Sequence, residues 1–403
     1  MRTRRLGCNT EQEQHISEIV FQKVIQLEKH LHIISFNVPY PADNGGAIDV
    51  FYKLPAFQAQ GIKIHLHCFE YGRGRQTELD KYCASVHYYE RCTGHKGISN
   101  TIPYIVASRK NEQLLQNLLK DDYPIFMEGV HCTYPLLDER FKKRKCFVRI
   151  HHVEYQYYHN LSSHTSSLLK KLYYWIESRL LKAYEKKVVA KAVCWGTTEK
   201  DDAVYRNELG CKNIEHLSLY LPDWKVQCLE GMGSYCLYHG NLGVDANEQA
   251  AIWLLEKVFS KLTIPFVITG KDPSQKLQEL THANKHTCLV PNPSEKEIQD
   301  MIAKAHINIL PSYTGTGMKV KLVNALYNGR HCVVNEETIA GSGLASACHI
   351  GSTANAFREI IAQLYHQPFT SDEIVLRKQL LKGMFNNEAN AIKQAGWIWG
   401  SIH

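Results

Sequence analysis

Residues 307–334 hold the run whose residue types best fit a chemical task. An apolar stretch, Ile307–Leu310, ends in Pro311 and Ser312; a loop with Gly315 and Gly317 follows, and Lys319 and Lys321 stand where a helical pattern begins. A helix start aims unpaired backbone N–H groups and the positive end of its dipole at whatever precedes it, so the arrangement suits an anion. Two ammonium groups would add full charge there, which fits a diphosphate. An ordinary strand–loop–helix connection with exposed lysines explains the same spacing.

Three further turns follow apolar runs. Val38–Ala47 carries two prolines and the triplet Asn44-Gly45-Gly46, which break the first strand and let backbone amides approach a ligand as the next helix starts. Tyr238-His239 runs into Gly240-Asn241, where the glycine serves either a tight turn or close ligand approach. Arg149-Ile150-His151-His152-Val153-Glu154 clusters ionisable groups directly after another strand, which marks His151 and Glu154 as candidate catalytic groups.

These turns need elements to position them. Short β-rich runs alternate with helical patterns from Leu31 onward: Leu31–Phe36, a helix near Ala47–Gln60, Lys63–Phe69, then strands at Ile125–Glu128, Cys146–Ile150 and Ala192–Trp195. After a Pro- and Gly-marked linker the alternation restarts at Tyr235–His239 and continues through Pro265–Thr269, Thr287–Val290, Ile307–Leu310 and Cys332–Asn335. Apolar strands alternating with helices predict an α/β fold with parallel sheets covered on both faces. With 403 residues and roughly 100–200 per domain, two such domains are expected. The boundaries read as a peripheral arm 1–30 with an amphipathic stretch Ile16–Leu27, a first domain 31–225, a second domain 233–385, and a final helix 386–403 packing back on the first domain. Ligands of such sheets sit beyond the carboxyl ends of the strands, so the cleft between domains is the expected site.

The order of these turns resembles retaining glycosyltransferases of the two-domain GT-B type, in particular family 4. That family carries a strand ending in Pro-Ser, a Gly-bearing loop, and Glu-x7-Glu followed by Ala-x-x-x-Gly; here the corresponding end is Asn324-Ala325-Leu326-Tyr327-Asn328-Gly329. The register places Thr316 and Asn324 where the family has its two carboxylates. The resemblance implies two Rossmann-like domains facing across a cleft, and transfer of a hexosyl group from a nucleotide-diphosphate sugar to a hydroxyl, with retention. It implies donor contacts at Gly240, Asn241, Thr316, Gly317 and Asn324, with Asn324 hydrogen bonding to the ribose, and Lys271 in Thr269-Gly270-Lys271 lining the nucleotide pocket. Relatives have an Arg and a Lys after the Gly240 turn, and Lys319 and Lys321 are expected to replace them. Asn44, Gly45 and Gly46 match the loop near the donor phosphates and acceptor. His151 matches a histidine that touches the donor sugar, while Glu154 either pairs with Arg149 or faces the acceptor.

The same resemblance implies no cofactor beyond the sugar-nucleotide co-substrate and no protein-held metal, and the 21 histidines form no metal-spaced motif such as H-E-x-x-H. The net charge of +7 suits phosphate ligands or an anionic membrane, whereas basic residues scattered among glutamates argue against nucleic acid. The expected acceptor is a saccharide or lipid-linked saccharide. Thirteen singly spaced cysteines and no secretory leader predict a cytoplasmic protein. Tyr157, Tyr158 and 168–175 form a basic, aromatic stretch that fits a buried interdomain helix better than peripheral contact with the inner membrane face. The missing carboxylates also admit a catalytically silent nucleotide-sugar-binding protein, whereas a Rossmann oxidoreductase is disfavoured for want of G-x-G-x-x-G after a strand.

Overall fold

The computed structural model describes residues 28–165 and 167–400. The stretch Ile16–Leu27 lies outside them. The first sheet is built from β1 (Lys29–Ser35), β2 (Ile62–Glu70), β3 (Ser85–Glu90), β4 (Ile125–Glu128), β5 (Cys146–Ile150), β6 (Val193–Gly196) and β7 (Ile214–His216) in the order β3-β2-β1-β4-β5-β6-β7. All its pairings are parallel. Every residue of β4 and β5 is buried, as apolar strands covered on both faces must be. Alternate residues feed two cores: Ile34, Met127 and Val148 on one face, Ile33, Phe126 and Phe147 on the other.

The second sheet comprises β8 (Cys236–His239), β9 (Phe266–Gly270), β10 (Thr287–Pro291), β11 (Ile307–Ile309), β12 (His331–Val334) and β13 (His349–Ile350), also parallel, ordered β10-β9-β8-β11-β12-β13. Strand order therefore reverses between β1 and β4 and again between β8 and β11. In a doubly wound sheet that reversal splays the connecting loops apart and leaves a crevice at the carboxyl ends. The two crevices face each other.

The helix Asn387–Trp399 returns to the first sheet. Ile398 is fully buried there, Trp397 stacks on Trp195 at 5.4 Å, and the Tyr220 hydroxyl donates to Gln394 Oε1 at 2.7 Å. The long helix Leu168–Val189 corrects an expectation. Its Leu181, Tyr184 and Val188 enter the first core, but Leu168 and Leu169 are 82% and 83% exposed, and Leu172, Trp175 and Ile176 are also exposed. The apolar residues fall on two faces of this helix, and only one of them has a partner among the described residues.

Candidate functional site

At the carboxyl end of β11 the loop Ser312–Met318 crosses the cleft and docks on the first domain. Thr316 Oγ1 accepts from Val153 N at 2.7 Å and donates to Asp201 Oδ1 at 2.9 Å, and Gly317 N donates to Asp201 Oδ2 at 2.8 Å. Gly317 has φ +72°, and a Cβ there would collide with the His152 ring and the His151 carbonyl, so only glycine fits both the turn and the contact. Asp201 itself is placed by the cap of the helix Glu199–Asn207, where Thr198 accepts from Asp201 N. Burial raises the Asp201 carboxyl, against hydrogen bonds from Gly317 and Thr316 that favour its charged form.

The two lysines part company in this geometry. Lys319 Nζ donates to the carbonyls of Thr316 and Gly317, so it holds the loop. Lys321 Nζ lies 3.3 Å from Asn247 Oδ1 and 5.1 Å from the centre of the Tyr238 ring, and has no carboxylate in ion-pair range among the described residues. Burial pushes Lys319 down to about 8. Burial, then the neighbouring Lys319 charge, pushes Lys321 down to about 7. A desolvated ammonium with only an amide oxygen and a ring for company attracts an anion. The helix Val320–Asn328 behind it has no side-chain cap at its N-terminus.

The remaining loops close around the same point. Gly240 N donates to Thr269 O, and a Cβ on Gly270 would strike the Gly240 carbonyl, which packs the β8 and β9 loops against each other. Asn241 Oδ1 accepts from Gly243 N while its carbonyl accepts from Asn247 Nδ2, so Asn241 shapes the turn and Asn247 links that turn to Lys321. From the first domain, Asn44 caps the helix Gly45–Ala59 by accepting from Ala47 N at 3.0 Å, and a Cβ on Gly45 would come within 3.2 Å of Val320. A Cβ on Gly46 would lie 2.6 Å from the Phe36 ring. Lys271 reaches across to Asp43, which Arg73 also holds, and Lys170 reaches Asp245 at 2.8 Å. A cavity of about 170 Å³ is left between the domains, walled by His164, Lys170 and Tyr174 on one side and Glu248, Tyr313 and Thr314 on the other.

Behind the first-domain wall lies a buried charge network. His151 Nε2 donates to Glu128 Oε2 at 3.0 Å and its Nδ1 stands 3.7 Å from Asp49. Lys53 pairs with Glu128 and lies 3.8 Å from Asp49, and Arg149 Nε donates to Asp49 at 3.1 Å. Burial works to raise the Asp49 carboxyl, but Arg149, Lys53 and His151 outweigh it and hold it low. Glu128 is held low against burial in the same way, by Lys53 and His151. Asp49, Glu128 and His151 lie close enough to hold a metal, but Lys53 and Arg149 already neutralise both carboxylates. The network fixes the His151 tautomer and ring angle at the cleft floor.

Two sequence expectations are corrected here. Glu154 neither pairs with Arg149 nor is open to the cleft: as the first residue of the helix Glu154–His164 it is buried, its carboxylate 3.7 Å from His131 Nδ1. Burial, then Glu185, raises its carboxyl well above the usual range. Asn324 Oδ1, the oxygen expected to meet the ribose, accepts from Asn328 Nδ2 at 2.6 Å within its own helix. Sequence reasoning missed Glu128, Asp49, Lys53 and Asp201. The signals were a glutamate ending an apolar strand, a charged i,i+4 pair on the apolar face that also carries Val50 and Leu54, and an acid three residues after a capping threonine.

Two parallel-sheet domains meeting across a cleft of this construction define the class: the chain has the GT-B fold of glycosyltransferases. Within that class, residues 233–367 match the model of the family described as glycosyl transferases group 1. The chain is 25% identical over 328 residues to an uncharacterized 44.6 kDa protein in the cps region of Klebsiella pneumoniae, spanning 77% of this chain and 84% of that one. Sucrose-phosphate synthase from Thermosynechococcus elongatus superposes with a TM-score of 0.67 at 14% identity, covering 92% of this chain and 98% of that one. An E. coli structure described as trehalose-6-phosphate bound with UDP-2-fluoro glucose gives 0.64 at 9% identity, over 93% and 100%. At these identities the structural likeness speaks for the fold alone.

Proposed function

We propose that the chain transfers a hexosyl group from a nucleotide-diphosphate sugar to a hydroxyl of a saccharide or lipid-linked saccharide, with retention of configuration. The observation that carries the reading is Lys321, a half-buried ammonium without a counter-ion among the described residues, beside a helix start at the carboxyl ends of the second sheet. Lys321 and the amides of that helix start would take the diphosphate and stabilise it as it leaves. His151, held by Glu128, would meet the donor sugar from the opposite wall, and the leaving phosphate would accept the acceptor proton. The uridine-nucleotide sugar named in the E. coli neighbour and the cps-region relative support this substrate class.

A second reading has its own observation. Thr316 Oγ1 and Asn324 Oδ1, on residues that stand where relatives carry carboxylates, are both engaged in intramolecular bonds, as in a protein that binds a sugar nucleotide without turning it over. One experiment addresses both readings. A screen of UDP-, GDP- and other nucleotide sugars is expected to give one that raises the melting temperature, since a ligand of the native state stabilises it, and that donor should then support transfer or hydrolysis. Stabilisation without turnover establishes the silent form, and no stabilising nucleotide sugar defeats both.

The lipid-linked acceptor has a surface to match. Leu168, Leu169, Leu172, Trp175 and Ile176 are exposed beside Lys170 and Lys171, as an interfacial helix presents them, while no described helix is long and apolar enough to cross a membrane. The protein is expected to float with anionic liposomes, and Leu169→Glu with Leu172→Glu to stay at the bottom of the gradient. Equal flotation of both forms would remove the membrane from the proposal.

A further inference from the structure

At the amino ends of β12 and β13, away from the cleft, three side chains from three elements converge. His331 opens β12, His349 opens β13, and Glu373 lies in the first turn of the helix Ser371–Leu381. One ligand atom from each lies within 4.8 Å of the other two. The register pairs Val333 with His349, so alternation along β12 puts both rings on the same face of the sheet, their centroids 5.7 Å apart.

The hydrogen bonds around these groups leave one gap. His331 Nε2 lies 3.1 Å from the Gln367 carbonyl, which can only accept, so the proton sits on Nε2 and Nδ1 presents a lone pair. That lone pair faces Glu373 Oε1 at 3.2 Å, and Nδ1 has no hydrogen-bond partner among the described residues although His331 is only 3% exposed. The other carboxylate oxygen is occupied, accepting from Thr370 N at 2.9 Å and Thr370 Oγ1 at 3.1 Å. Two lone pairs aimed at each other across a buried gap repel unless a cation lies between them. His306, though its ring is 5.1 Å from that of His331, is not a third imidazole ligand, since its nitrogens already serve Gly233 N and Leu364 O.

We propose that His331, His349 and Glu373 bind a divalent transition-metal ion of the Zn²⁺ class, with a fourth position left to water. Two imidazoles with one carboxylate suit Zn²⁺ and its borderline neighbours rather than Mg²⁺ or Ca²⁺, which take oxygen ligands. The Gln367 carbonyl orients the His331 ring as the outer partners of metal-bound histidines do. The ion fastens the helix Ser371–Leu381 to the sheet edge where the chain leaves the second domain on its way back to the first, a structural role independent of the sugar-transfer site. The sequence expectation of no metal rested on local spacing, and these ligands are 18 and 24 residues apart and join only through the fold.

Metal-stripped full-length protein titrated with Zn²⁺ by calorimetry, and with Co²⁺ by visible absorbance, tests this. The wild type is expected to take up one more equivalent than either His349→Ala or Glu373→Gln, or to bind that equivalent at least about 10-fold more tightly. The Co²⁺ form should show the ligand-field bands of a four-coordinate ion, and Zn²⁺ should raise the melting temperature of the wild type alone. Both substitutions sit at half-buried positions, and glutamine preserves the helix cap, so the metal-free variants should melt near the wild type. Equal metal uptake by all three proteins overturns the site. A melting temperature that follows pH but not metal also overturns it, because a proton shared by His331 and Glu373 would then fill the gap.

Discussion

Lys321→Met is expected to weaken nucleotide-diphosphate binding by roughly 10- to 100-fold, because a hydrogen bond to a charged group contributes about 1.5–3 kcal/mol. The same substitution should raise the melting temperature of the empty protein by a few degrees, since methionine keeps the apolar stem over Tyr238 and removes a desolvated charge. The opposed signs are diagnostic of a residue strained for binding. Burial holds the folded Lys321 at about 7, below its unfolded value, so between that pH and about 10.4 the unfolded chain binds more protons. Stability of the empty wild type therefore rises with pH across that window, and Lys321→Met flattens the rise. Donor affinity runs the other way, falling above pH 7 as the ammonium deprotonates. Calorimetry in buffers of different ionisation enthalpy should register proton uptake on binding near pH 8, and unchanged affinity in Lys321→Met would remove the lysine from the donor site.

His151→Ala is expected to lower kcat by about 100-fold or more with a modest change in donor KM, within the range that a positioned imidazole contributes. Glu128→Gln should lower kcat by a smaller factor, because Glu128 acts through the ring it orients and does not line the cleft itself. Its substitution also leaves buried Lys53 with only Asp49, 3.8 Å away, and removing one member of a buried pair costs up to about 3–5 kcal/mol. The double variant Glu128→Gln, Lys53→Met should recover most of that stability without recovering kcat. The kcat–pH profile of Glu128→Gln should shift relative to wild type, a change that a purely structural role would not produce. Wild-type kcat and profile in a folded Glu128→Gln protein would end the assignment.

Central strands were legible in the sequence, whereas of the four edge strands only β10 was. β1, β4, β5, β8 and β11 are buried on both faces and show as apolar runs, whereas β3, β7 and β13, absent from the sequence reading, are all outermost strands. An edge strand is short and half covered, so Ser85–Glu90 carries too many polar residues to show as a strand. The loops of the cleft were legible because Gly, Pro and Lys after a strand have local causes. What failed was partnership across the chain. Glu154 stood five residues from Arg149, yet the arginine pairs with Asp49, 100 positions away. Asp201 meets Thr316 across 115 positions, and no local spacing encodes that contact. Local pattern likewise misjudged Leu168–Ile176, because helical periodicity marks apolar faces without saying which of them another element covers.

The return of the helix Asn387–Trp399 sets an order on biosynthesis. Ala391 and Ile398 complete the core formed by β1, β2 and the helix Gly45–Ala59, so the first domain emerging from the ribosome lacks one wall. Trp195 is fully buried in the finished protein, yet the indole that stacks on it is made only after the whole second domain. Domains generally fold one at a time as they emerge. Here the nascent first domain must wait, with an apolar face open, for residues more than 150 positions downstream of its last strand.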